Sequence, residues 1–286
     1  MPELIYWSEL LHFRIAQFIR LRLDELQVRD PELTNVVDPL CHFILTRAEA
    51  IISLVKRKQL WDADIISRSL SEAVVKMAFI CCKDLTERSQ RISEYTTDMI
   101  EIEDLRRSDR CRQILAEADT PKWHNVLDPL LLSSEEETAL RKKWTKAART
   151  KLEQKWSYLS MICAIDKEMR GTSETPLGFR ALLHSYVIAT HFIHADRTSF
   201  ELLWDRSTRP ALVREKLEEA HAVRLLSDSL WFAFGAWPLV ARVVAIRPDT
   251  VEGYKDIEDD LARLSMGFQT VEAEFWATQK SSDTST

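Results

Sequence analysis

Glycine is scarce in this chain, with five in 286 residues, and there are only nine prolines. A β-rich protein of this length needs more turn residues than that, so the scarcity excludes most sheet architectures. The five cysteines, Cys41, Cys81, Cys82, Cys111 and Cys163, are odd in number and form no C-x-x-C pair. They read as reduced thiols in a cytoplasmic protein, packed as small hydrophobes rather than joined in disulfides. No long apolar run is present either. The most apolar stretch, "SLWFAFGAWPLVA" from Ser229 to Ala241, is interrupted by Gly235 and Pro238. It falls short of the roughly 20 residues that cross a bilayer and reads as a buried core helix. The start, "MPELIYWSELLHFR", has no basic segment leading into an apolar one and does not read as a signal peptide. The formal net charge of -6 points to neither a strongly acidic nor a strongly basic partner.

What remains is helical. Apolar residues recur at spacings of three and four from Leu4 to Phe18 and again from Ile257 to Phe275. The segment "WDADIISRSLSEAVVKMAFICCK", Trp61 to Lys83, is apolar nearly all round and is expected at the centre of a bundle. Residues 31 to 59 read as a helix bent at Pro39, and residues 86 to 118 as a polar surface stretch. Ser134 and Glu137 fit a capping box for a helix running towards Arg170. Pro210 suits the first turn of a helix over 210–246, and Asp249 the cap of the last one. The expected fold is an all-α multi-helix bundle without β-sheet. It forms one domain over residues 1–276 with a helical C-terminal extension, and residues 277–286 form a polar disordered tail.

Chemistry-bearing residues concentrate on two helices. "RALLHSYVIATHFIHADR" places Arg180, His184, His191 and His194 within an arc of about 80°. His191 and His194 are three apart, but no H-E-x-x-H occurs, and His184 lies too far along the helix to share an ion with them. No metal and no cofactor are expected. On the central helix, Arg68 and Glu72 are one turn apart on an otherwise apolar face, where unpaired charges are rarely buried. They read either as a structural ion pair or as the lining of a polar pocket facing the histidine helix.

"RSLSEAVVKMAFI" resembles the R-x-L-x-E helix of an uncharacterised, mainly bacterial helical family, catalogued as domain of unknown function 5677. In that family a Lys/Trp/Ser segment follows, then a helix bearing Tyr, a small hydroxyl residue and His. Here "KWS" at Lys155 to Ser157 and "YVIATHFIHAD" at Tyr186 to Asp196 follow in that order. The resemblance covers about residues 40 to 205 and places Arg68, Glu72, Lys155, Trp156, Tyr186, Thr190 and His194 on the family's positions, with Thr190 where Ser is usual. It implies a bundle similar to HEPN proteins, many of them metal-independent RNases or nucleotidyltransferase partners in toxin and phage-defence systems. Their mark is Arg, four to six residues, then His. Arg214 and His221 match once, a frequency that composition alone produces, whereas Arg180 and His184 are too close.

Two functions stay open. One is a binding or regulatory module with a buried Arg/Glu/His pocket to which Lys155, Tyr186, Thr190, His191, His184 and Arg180 contribute. The other is an endoribonuclease in which His194 acts as acid or base, Arg68 stabilises phosphate charge and Glu72 orients the arginine. The implied partner is RNA, through a local basic stretch such as "RKKWTKAARTK", or a protein of antitoxin or nucleotidyltransferase type. A homodimer is also expected, and no membrane association.

Overall fold

The computed structural model describes residues 1–117, 121–169 and 182–283. The helices in chain order are α1 (Pro2–Arg29), α2 (Pro31–Lys56), α3 (Leu60–Cys81), α4 (Leu85–Ser93), α5 (Met99–Glu117), α6 (Pro121–Leu127), α7 (Ser134–Lys143), α8 (Lys146–Lys155), α9 (Tyr158–Met169), α10 (Leu182–His194), α11 (Arg197–Thr208), α12 (Ala211–Val243) and α13 (Tyr254–Asp283). A π-helical turn, Glu94–Asp98, joins α4 to α5. Among the described residues there is no strand. No helix among them is long and apolar enough to cross a membrane.

Local chemistry explains where the helices begin. Asp30 accepts the Leu33 N–H at 3.0 Å, and Pro31 occupies the first turn of α2. Asp84, Thr145 and Asp196 cap α4, α8 and α11 in the same way. The capping box of α7 uses Ser133 and Glu136, one residue before the expected pair. "SSEEE" offers both registers, and the chain takes the earlier one. The helix expected to run from there to Arg170 is broken at Trp144–Thr145 and Trp156–Ser157 into α7, α8 and α9, because Thr145 starts a new cap. Asp249 does not cap α13. It lies in a short 3-10 turn and pairs with Arg247.

The scarcity of glycine shows where helices end. α2, α10 and α12 each close through a left-handed residue, Lys58 (φ 59°), Ala195 (φ 47°) and Ala245 (φ 54°), where glycine is the usual choice.

Contacts divide the chain into two compact units: Met1–Cys82 with Ile162–Thr286, and the inserted segment Lys83–Met161. The sequence reading takes residues 1–276 as a single domain. In the first unit α3 lies between α2, α10 and α12, and α1 and α13 pack on each other and on α12. Leu70, Val74, Val75, Met77 and Ala78 of α3 are fully buried. Each such Leu, Val or Met contributes about 1.5–3 kcal/mol. The C-terminal helices are therefore no extension, since α12 packs directly on both α2 and α3. α13 also continues to Asp283, through most of the stretch read from sequence as a disordered tail. In the inserted unit, α5 collects α6, α7 and α8 along its length.

Candidate functional site

The expected pocket residues fall into separate places. On α3, Arg68 Nε meets Glu72 Oε1 at 3.2 Å, and Arg68 Nη2 donates to the Tyr186 hydroxyl at 2.8 Å. The guanidinium also lies 4.3 Å from the centre of the Tyr186 ring. Burial pushes the Tyr186 phenol upward. The Glu72 charge adds to this, and Arg68 opposes it. The space beside this cluster is about 10 Å³, room for at most about one water. The cluster is thus a closed tie between α3 and α10 rather than a pocket.

The rest of α10 follows different uses. The Thr190 hydroxyl donates to the Tyr186 carbonyl at 2.7 Å, within the helix. His191 Nδ1 lies 2.6 Å from Asp196 Oδ2 and so fastens the turn into α11. His194, the last residue of α10, is exposed. It stands two turns, about 12 Å, beyond Tyr186, the residue of α10 that Arg68 meets. Arg180 lies outside the described residues. Lys155 and Trp156 belong to the inserted unit, where both reach Glu94. Because Arg68 keeps Tyr186 and its side chain is 19% exposed, Glu72→Ala is expected to cost about 1 kcal/mol in a urea melt. A loss above about 3 kcal/mol would mean that the ion pair bears far more than this geometry implies.

A second cluster, one turn before Arg68, is more tightly built. Asp64, Arg68 and Glu72 follow at intervals of four on α3, and Asp64 is the buried member, with its side chain 5% exposed. Its Oδ2 lies 2.6 Å from His221 Nε2, and its Oδ1 accepts from Arg224 Nη2 at 2.5 Å. Arg224 also reaches Asp228 at 3.5 Å. On the far side of the imidazole, Arg206 Nη1 stands 2.9 Å from His221 Nδ1. A guanidinium can only donate, so Nδ1 must be the acceptor and Nε2–H must donate to Asp64. This fixes His221 as the neutral Nε2–H tautomer, with both nitrogens engaged.

The electrostatics agree with this assignment. Burial lowers the His221 imidazole, and Arg224 and Arg206 push the same way against the Asp64 hydrogen bond. Burial alone would raise the Asp64 carboxyl. The His221 hydrogen bond and the Arg224 charge outweigh it and hold the carboxyl below its usual range. Asp228 goes the other way, pushed up to about 6 by burial with Arg224 opposing.

Aromatic rings frame the cluster. Trp61 stacks on Phe192 with centroids 4.2 Å apart, and Arg206 lies 4.6 Å over the Trp61 ring. A cavity of about 580 Å³ opens here, lined by Trp61, Asp64, His184, Arg206, His221 and Arg224, with Leu217 and Trp276 among its apolar walls. A neighbouring cleft of about 410 Å³ shares Trp61 and Arg206. Among the described residues expected at the site, only His184 lines the larger cavity. The signal that could have found the others is the spacing of four that links Asp64 to Arg68, together with the His221 and Arg224 pair on an apolar helix.

Among the described residues no three His, Cys, Asp or Glu side chains converge as metal ligands. No family model, curated protein or solved structure matches the chain.

Proposed function

We propose that this chain is a binding module that takes a small organic acid into the cavity beside Asp64 and His221, with Arg206 as the anchor for its anionic group. The observation that carries this is the state of Arg206. It is half-buried, stacked on Trp61, and spends one N–H on a neutral imidazole. It has no ion pair among the described residues. A guanidinium in that position favours an anion, and its planar fork suits a carboxylate or a phosphate. The volume and the mixed aromatic and polar lining are those of a small-molecule site.

The Asp64–His221–Arg224 chain supports the anchor instead of reacting. His221 has no unengaged nitrogen to move a proton, and Asp64 holds the tautomer that receives Arg206. The resemblance of "RSLSE" to an HEPN-like helix belongs to this reading, and with it a role in a toxin or phage-defence system beside a protein partner. The ribonuclease alternative lacks support from geometry, because His194 stands apart from Arg68 and Glu72.

The test is a thermal melt against a panel of organic acids and their uncharged amides. Acids raise the melting temperature, amides do not, and Arg206→Gln removes the effect. A ligand at a hundredfold excess over its Kd stabilises by about 2.7 kcal/mol, well within detection. A wild type unmoved by every acid, or an acid shift that survives in Arg206→Gln, would sink the proposal.

A further inference from the structure

The cleft next to the cavity holds an unusual group of cations. Lys58, at the turn between α2 and α3, Arg206 of α11 and Arg214 of α12 all line it, and Glu218 is its one carboxylate. Among the described residues none of the three cations has an ion pair, although pairs are common elsewhere on this surface, as at Arg209–Asp205 and Lys216–Glu219. Among the side chains lining the cleft, three cations against one carboxylate leave a charge of plus two, with the Asp64 and Asp205 carboxylates acting on Arg206 from outside the lining. A carboxylate ligand would leave half of that unmet, whereas a phosphomonoester dianion meets it.

The backbone supplies an independent observation. Lys58 N–H bonds to the Val55 carbonyl and Gln59 N–H to the Leu54 carbonyl, each at 2.9 Å. That pattern makes Lys58 the left-handed residue that closes α2, at φ 59°. Glycine is the favoured residue there, and a lysine is a costly choice. Ala195 and Ala245 hold the same conformation in this glycine-poor chain, and what sets Lys58 apart is that its side chain reaches the lining of the cleft. Arg206, held by His221 on one side and by the Trp61 ring beneath, is oriented before any ligand arrives, which reduces the ordering that binding requires.

We infer that Lys58, Arg206 and Arg214 form a phosphate site that takes the dianionic group of a small phosphomonoester, with the organic part lying past Trp61 in the larger cavity. This rests on the ligand cavity proposed above and names the chemistry of its ligand. The net charge of -6 over the whole chain favours a small ligand over a nucleic-acid strand.

Calorimetric titration of the full chain with phenyl phosphate, inorganic phosphate and benzoate tests it. Phenyl phosphate is expected to bind best, about tenfold or more above benzoate, with inorganic phosphate weaker for want of the ring. Arg214→Gln is expected to cut phenyl phosphate affinity about tenfold and leave benzoate unchanged. Lys58→Gly separates folding from binding: without ligand it melts higher than wild type, yet it binds phenyl phosphate more weakly. Benzoate binding as well as phenyl phosphate would overturn the phosphate site and leave the acid cavity standing. Binding of neither also overturns it, and the acid panel then decides the cavity on its own. A Lys58→Gly chain with unchanged affinity removes Lys58 from the site and defeats the inference, as does a short oligoribonucleotide that binds tighter than phenyl phosphate.

Discussion

Replacing Asp64 by alanine is expected to destabilise the first unit by about 3–4 kcal/mol, a large part of a typical domain's stability. The substitution takes the acceptor from His221 Nε2–H, whose side chain is 7% exposed, and one of the two carboxylates from Arg224. Urea unfolding at neutral pH reads this, and a loss under about 1 kcal/mol would show that the network is not cooperative. The pH dependence follows from the directions of the shifts. His221 is held neutral in the fold, so its contribution is complete above about 6.5 and is lost as pH falls below that value. Asp64 is held ionised, so its contribution is present above about 4 and is lost on further acidification. Asp228, raised to about 6, takes up a proton more readily in the folded state and offsets part of the His221 loss. The Asp228→Asn chain should therefore lose more stability than wild type between about pH 7 and pH 5, where His221 is left without that offset.

Glu94→Ala is the counterpart in the inserted unit, with an expected cost of about 2–4 kcal/mol. The Glu94 side chain is 8% exposed within the π-helical turn. It accepts from Lys155 Nζ at 2.7 Å, Trp156 Nε1 at 2.9 Å and Gln90 Nε2 at 3.0 Å. The next residue, Tyr95, stacks on Trp156 with centroids 5.6 Å apart. Alanine removes an acceptor shared by three donors, whereas Glu94→Gln keeps an oxygen and is expected to cost less. Amide exchange over Lys83–Met161 is the direct readout. Protection unchanged from wild type in the alanine variant would mean that water replaces the carboxylate without loss.

The helical class and the central place of α3 were legible, since burial on every side of α3 leaves its mark as an apolar sequence. Polar residues on that helix were legible as a stripe too, but the reading stopped at Arg68 and Glu72, the more exposed members. Asp64 went unnoticed because a single aspartate near a helix start resembles an N-terminal charge preference. Its partner His221 is 157 residues away, a pairing no local pattern reveals. In the sequence His221 stands out only through its spacing from Arg214, which composition alone produces. That spacing connects it to the wrong arginine, since its hydrogen-bond partner is Arg206, across the turn at Pro210. The histidines of α10 drew attention by number alone, and proximity along a helix says nothing about which of them meets a neighbour.

The discontinuity of the first unit has a consequence in time. During synthesis α2 and α3 are complete long before α12, the helix that covers them both, has been made. At about 5–20 residues per second, that gap lasts on the order of ten to thirty seconds. Through it, an α3 face rich in Val, Leu, Phe and Ile stands uncovered while Lys83–Met161, a continuous segment, is free to fold first. The nascent chain thus offers a chaperone a long and predictable window, and the cavity beside Asp64 is among the last features of the molecule to exist.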